Sequence, residues 1–510
     1  MQHHEVRVHP SAARLAREDQ LAWKLAAYAT SRPPVDDEVA DMVRCRVVDN
    51  AAVACAALAR APVAAARAMA LAHPRAGGAT LFGLPAATTV HAEWAAWANG
   101  TAVRELDFHD TFLATEFGHP GDNIAAQIAA AQQMRRPGAD LVRAIAVAYE
   151  VHIGLMKGIN LHRHKKDHVA HLVAGTTAGI GALLDLPTAT VYQALNQAVH
   201  LGFSTRQSRK GEITSWKAFV PGFSGKLAIE AVDRAMRGEA APSPIYEGED
   251  SVIAWMLDGA DALYRVPLAA PGEVPRQILE SYTKAHSAEY QAQALIDLAL
   301  ELRARIGDPG AVERVTIRTS HHTHTVIGSG ANDPQKLDPG ASRETLDHSI
   351  MYIFAVALED GAWHHVDSYL PERAGRPSTV ALWRRIATVE DAEWTARYHD
   401  PDPARRAFGG RVEIELADGR TVAGEKLVAD AHPNGAHPWG WSDYVGKFDA
   451  LAAPLTGATE RDRFLGACAR LQHANADTIR LLNPVVDSPD LALAASATGI
   501  FDHPVPRPWD

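Results

Sequence analysis

The chain has 510 residues, 47% of them hydrophobic and 22% charged, which is more than one compact core needs and points to two domains. A formal net charge of −11 with no long basic run argues against a nucleic-acid or membrane-surface role, so an anionic ligand must meet a locally basic site. Three cysteines, Cys45, Cys55 and Cys468, with no C-x-x-C pair, exclude a disulfide framework and suit an iron–sulfur cluster poorly.

The N-terminal stretch "MQHHEVRVHPSAARLARED" has no apolar run to act as a signal, and residues 51–72 are interrupted by Arg60, Pro62 and Arg67, so a soluble, cytoplasmic protein is expected. From about Asp36 to Leu71, and again over 139–155, 168–184, 188–201 and 223–238, apolar residues recur at helical spacing among many alanines. These segments predict helices packed through small side chains, separated at Pro137-Gly138, Pro187-Thr188 and Gly202. No convincing strand precedes about residue 279. Beyond it, "VERVTIRTS" (312–320) alternates, "RVEIELADGRTVAGE" (411–425) reads as a hairpin around Asp418-Gly419, and helices are expected at 288–306 and 343–360. After "AHPNGAHPWGW" (431–441) the pattern is helical again. The predicted fold class is mainly α: an all-helical domain (1–279, with a return over 441–510) and an inserted α+β domain (280–440) containing a mainly antiparallel sheet.

Four segments carry candidate chemistry. "LDFHDTFLATEFGHPGDN" (106–123) gathers Asp107, His109, Asp110, Thr111 and His119 before a helix that Asp122 or Asn123 can cap. "STRQSRKGEITSWK" (204–217) places Arg206, Arg209, Lys210 and Lys217 between two helices, a set suited to several carboxylates. "SYTKAHSAEYQAQA" (281–294) brings Lys284 and Glu289 to a helix start at the proposed domain boundary, where a carboxylate is either a base or a cap. "SRETLDHSIMYIFAVALEDG" (342–361) sets Asp347-His348 before an apolar helix, with His348 equally readable as a core histidine. Two histidine groups, His162/His164/His168/His171 and His321/His322/His324, lack the H-E-x-x-H helix of a zinc site, so no metal is expected.

In this order and at these separations, "LDFHDT…HPGDN", "RKGEITSWK", "KAHSAEYQAQA" and "RETLDHSIMYIFAVALEDG" resemble the 2-methylcitrate dehydratase (MmgE/PrpD) family from about residue 30 to 480. The resemblance implies a helical domain with the α+β insert as a lid, a homodimer, and dehydration of a tricarboxylate in propionate breakdown without a cofactor. Residue by residue, it implies catalytic roles for Asp107, Thr111, His119, Lys217 and Glu289. It also places His168 and Lys284 at the substrate; Arg209 and Lys210 join them as carboxylate-binding candidates. His109, Gly121 and Ser287 depart from the family pattern, where aspartate, serine and proline are usual. Glu289 stands where the decarboxylase relatives carry histidine, which favours the dehydratase branch. A decarboxylase or isomerase of a similar tricarboxylate, or a non-catalytic helical binding protein, is the alternative.

Overall fold

The computed structural model describes residues 1–210, 213–400, 402–486, 491 and 499–502. Two residues of the "RKGEITSWK" motif, Gly211 and Glu212, and residues 487–490, 492–498 and 503–510 of the helical return lie outside the described residues. The chain divides into two compact units. The first comprises Met1–Ser208, Ser215–Ser281 and the chain from Gly440 onward; the second comprises Arg209–Thr214 and Tyr282–Trp439.

The first unit is built on helices α1 (Leu21–Thr30), α2 (Asp37–Ala57), α3 (Ala61–Leu71), α4 (Ala92–Glu105), α5 (Ile124–Gln133), α6 (Gly138–Gly158), α7 (Val169–Leu184), α8 (Thr188–Gly202) and α9 (Trp216–Met236). Their small residues set the spacing: α4 and α9 cross so closely that a Cβ at Gly100 would lie 3.0 Å from the Gly222 Cα. Asp36 caps α2 by accepting from the Val39 N–H, and Pro62 in the first turn of α3 fixes the break between α2 and α3 that the continuous apolar pattern hides.

The expectation of no strand before residue 279 is corrected. β1 (Gln2–Arg7) pairs antiparallel with β2 (Leu263–Leu268), and Pro74–Thr80 pairs with Thr89–Val90. Of β1 only Val6 is buried, and in β2 the alternation of Leu263 to Val266 is cut short by Pro267, so neither is betrayed by a sustained pattern.

The second unit carries a four-stranded sheet formed by β3 (Val312–Thr319), β4 (Ile386–Glu390), β5 (Gly410–Leu416) and β6 (Thr421–Lys426), in the order β6-β5-β3-β4. β5 and β6 form the hairpin, with Gly419 at φ +83° in its turn. β3 pairs antiparallel with β5 and parallel with β4, a strand too short and polar-edged to read from sequence. Helices α10 (Tyr290–Ile306) and α11 (Ile350–Asp360) cover the sheet, burying Leu295, Leu302, Ile353 and Val356 against Val315 and Ile414. The chain returns to the first unit through α12 (Trp441–Ala452) and α13 (Ala458–Ala469). The molecule is mainly α with small, mostly antiparallel sheets.

Candidate active site

The segment between α4 and α5 is a tied loop. Asp107 follows the end of α4 with φ +49°, a left-handed cap conformation that aspartate tolerates better than most residues, and this turns its carboxylate inward. Phe112 and Leu113 pair with Gly118 and Phe117 in a two-residue ladder, stapled by the Thr111 hydroxyl donating to the Gly118 carbonyl at 3.0 Å. The loop is fixed from beneath by distant helices. Lys447 of α12 donates to the Phe108 carbonyl at 2.7 Å and lies 2.6 Å from Asp49. Tyr149 of α6 donates to Asp110 at 2.8 Å, and Arg46 of α2 lies 3.5 Å from the same carboxylate. Burial pushes the Asp110 carboxyl up, with Arg46 and His109 pulling it back, and pushes the Tyr149 phenol well above its usual value.

On this platform the Asp107 carboxylate is held between Arg104, 2.8 Å from Oδ1, and Lys217 of α9, 3.0 Å from Oδ2, all three nearly buried. The Asp107 carboxylate thereby holds two cations, Arg104 and Lys217, of the kind an anionic ligand requires. His119 faces the same carboxylate, its Nε2 3.8 Å from Oδ1, while its Nδ1 lies 2.9 Å from the Asp110 carbonyl. A carbonyl only accepts, so the hydrogen-bond network assigns the N–H to Nδ1 and leaves the lone pair of the neutral ring on Nε2. His168, at the start of α7, has its ring centroid 5.5 Å from that of His119 and its Nε2 3.9 Å from Asp167. Thr111 bridges the hairpin, and Lys217 belongs to the first turn of α9. Neither Asp122 nor Asn123 caps α5 through its side chain, a correction to the expected cap: Asn123 stands at the N-cap position but donates to the Pro120 carbonyl, and Asp122 lies 2.9 Å from His109.

The histidines of the 162–171 group serve separate contacts. His171 meets the Ile159 carbonyl at 3.0 Å and His164 lies 3.3 Å from Asp258; burial holds His162 and His171 down, to about 3 and about 4. The three cysteines are all buried, and burial pushes the Cys45 thiol up to about 11 and Cys55 to about 12, away from the thiolate a cluster needs.

In the second unit Lys284 is fully buried, and Glu289 is the N-cap of α10, its carboxylate accepting from the Gln291 N–H at 2.7 Å. The Glu289 N–H donates to the Asp347 carbonyl at 3.2 Å, which ties this cap to the Asp347-His348 turn. That turn is braced by Arg343, 3.6 Å from Asp347 and donating to Ser287 at 2.7 Å, and by Lys336 donating to the His348 carbonyl at 2.8 Å. With the Gln291 amide turned to satisfy its neighbours, its nitrogen donates to Glu289 and its oxygen accepts from Tyr398 and His322. Arg209 is half-buried and Lys210 exposed, and both belong to this unit. Asp107, Thr111, His119, His168 and Lys217 are thus gathered in the first unit, and Arg209, Lys210, Lys284 and Glu289 belong to the second.

Two family models match: the MmgE/PrpD N-terminal domain over residues 19–264 and the MmgE/PrpD C-terminal domain over residues 286–472. This chain belongs to the MmgE/PrpD family. It is 27% identical over 340 residues to the mitochondrial 2-methylcitrate dehydratase of Yarrowia lipolytica, covering 63% of each chain. Over 350 residues it is 28% identical to the 2-methylcitrate dehydratase of Salmonella typhimurium and 29% to that of Cupriavidus necator, covering 66% of this chain and 69% of each relative. The chain therefore spans just under two thirds of the Yarrowia enzyme's length and just over two thirds of the other two.

In this MmgE/PrpD chain the partners that sequence reading missed are Arg104, Arg46, Tyr149, Lys447 and Arg343. Arg104 could have been found three residues before Asp107, where one helical turn brings the pair together. Lys447 gives no local signal, because it reaches Phe108 from 339 residues away.

Proposed function

We propose that this chain is a 2-methylcitrate dehydratase, a cofactor-independent hydro-lyase that converts 2-methylcitrate to 2-methyl-cis-aconitate and water in propionate breakdown. The observation that carries the reading is the buried Asp107 carboxylate between Lys217 and Arg104, with His119 Nε2 facing it at 3.8 Å, in a family whose quoted relatives bear that name. Dehydration takes a proton from the carbon beside a carboxylate and hydroxide from the neighbouring carbon, so it needs a base, an acid and fixed cations. His119 Nε2 is the proton-transfer atom. Lys217, steadied by Asp107, and Arg104 stabilise the negative charge that develops on the substrate carboxylate as the C–H bond breaks. The expelled hydroxide leaves as water once a proton reaches it.

The second unit, with Lys284 and Glu289, is proposed to serve as a lid during turnover, with Arg209 and Lys210 as further carboxylate anchors. A cytoplasmic homodimer with no nucleic-acid or membrane partner completes the reading, supported by the acidic charge and by the family resemblance. Incubation with 2-methylcitrate, citrate and cis-aconitate, following absorbance of the unsaturated product and release of carbon dioxide, tests it. Absorbance gained on 2-methylcitrate without carbon dioxide is the expected result; carbon dioxide from cis-aconitate would make the protein a decarboxylase, and silence throughout a binding protein.

A further inference from the structure

His109 is fully buried, and so is Asp122, whose carboxylate oxygen lies 2.9 Å from His109 Nε2. The approach is off the line of a ring N–H: neither ring nitrogen of His109 and neither carboxylate oxygen of Asp122 makes an aligned hydrogen bond. The His109 ring stands beside Asp110 on the same loop and His119 across it, and Asp110 is in turn held by Tyr149 and faced by Arg46. The centroids of the His109 and His119 rings are 5.2 Å apart, tilted by 36°.

Room for the ring comes from one residue. A Cβ at Gly121 would lie 2.9 Å from His109 Cδ2 and 2.5 Å from Asp110 Oδ1. Asp110 cannot yield, since Tyr149 and the Gly121 N–H both hold it, at 2.8 and 2.7 Å. The absence of a side chain at Gly121 therefore makes space for the His109 ring.

We infer that His109 is a positioning residue: seated against Gly121 and paired with Asp122, it backs the His119 ring and fixes the direction in which His119 Nε2 exchanges its proton. The inference rests on the reading of His119 as the proton-transfer group. Arg104 and Lys217 remain on Asp107 when His109 is replaced, so the replacement acts on the proton-transfer step rather than on the anionic anchor.

The test joins kinetics to a readout that needs no substrate. In His109→Gln, kcat should fall roughly 10- to 100-fold, as for a small misplacement of a catalytic group, while KM stays within about twofold. Histidine ¹⁵N NMR, with the His119 signals assigned by their loss in His119→Gln, should show the Nδ1–H tautomer in the wild type and a changed tautomer balance in His109→Gln. Should His109→Gln not fold, Asp122→Asn, which keeps size and leaves the ring in place, carries the same two measurements with the same expected results. If the wild type acts on no tricarboxylate while the His119 signals still respond, the dehydratase reading falls and the positioning role stands. His119 signals and kcat unchanged in folded protein would overturn it.

Discussion

Replacing Lys217 by methionine removes one of the two cations on Asp107 while keeping the length and bulk of the side chain. Breaking a buried ion pair costs about 3–5 kcal/mol when it strands the partner charge. Here Arg104 still holds Oδ1 at 2.8 Å, so the loss of folding stability should fall at the low end, about 3 kcal/mol or less, and the variant should fold. The catalytic loss is separate. Deleting one preorganised electrostatic partner costs about 2.7–4 kcal/mol of transition-state stabilisation. That corresponds to a fall of roughly 10²- to 10³-fold in kcat/KM. Steady-state assay on 2-methylcitrate beside a thermal unfolding curve separates the two effects, with Lys217→Arg as the charge-retaining control. Lys217→Met with near wild-type kcat/KM in folded protein would refute the assignment of Lys217 to the site.

His119→Ala should lower kcat by roughly 10²- to 10⁴-fold if Nε2 transfers the proton, and an unchanged kcat removes it from the chemistry. Glu289→Gln keeps an oxygen to cap α10, so a lower kcat with an unchanged melting temperature marks a chemical role, and an unchanged kcat leaves only the cap. Arg209→Ala and raised ionic strength should each raise KM, and no response to either means the carboxylate anchors lie elsewhere. Exhaustive chelation should leave activity intact, since the buried thiols and the separately engaged histidines suit no cluster; recovery only with added iron or zinc would contradict this. Burial pushes Glu116 from 4.5 up to about 7, so the folded state binds its proton more tightly than the unfolded chain, and that contribution is full below 4.5 and lost as pH rises through about 7. Between those limits, the wild type should lose stability on raising pH relative to Glu116→Gln; parallel melting curves would deny it.

Helices with a clean apolar stripe and flanking turn residues were legible: Pro137-Gly138 and Pro187-Thr188 stand at the starts of α6 and α8. α9 begins at Trp216, before the 223 that periodicity suggests, because Pro221 and Gly222 interrupt the apolar pattern inside the helix. β1 and β2 stayed hidden because their pairing joins residues about 260 apart, β1 buries only Val6, and Pro267 breaks the pattern of β2. In the site, the loop from Asp107 to Asn123 announces itself by its density of polar groups, and the family motifs add Lys217. The Arg46, Tyr149 and Lys447 supports are products of tertiary packing: each reads locally as an ordinary helical residue, and only the folded chain brings it to Asp110 or Phe108. Asp122 and Asn123 read as caps because such residues before a helix usually are; in the fold Asp122 lies against the His109 imidazole and Asn123 turns to the Pro120 carbonyl.

The central claim is removal of water from 2-methylcitrate by the Asp107, His119 and Lys217 constellation. Its most direct test is NMR and mass analysis of the products formed from ¹³C-labelled 2-methylcitrate by the wild type and by Lys217→Met in parallel. A single product lacking one water and retaining all three carboxylates is expected, formed by the wild type and slowed by the substitution. Loss of a carboxylate as carbon dioxide, or untouched substrate with folded wild-type protein, would contradict it.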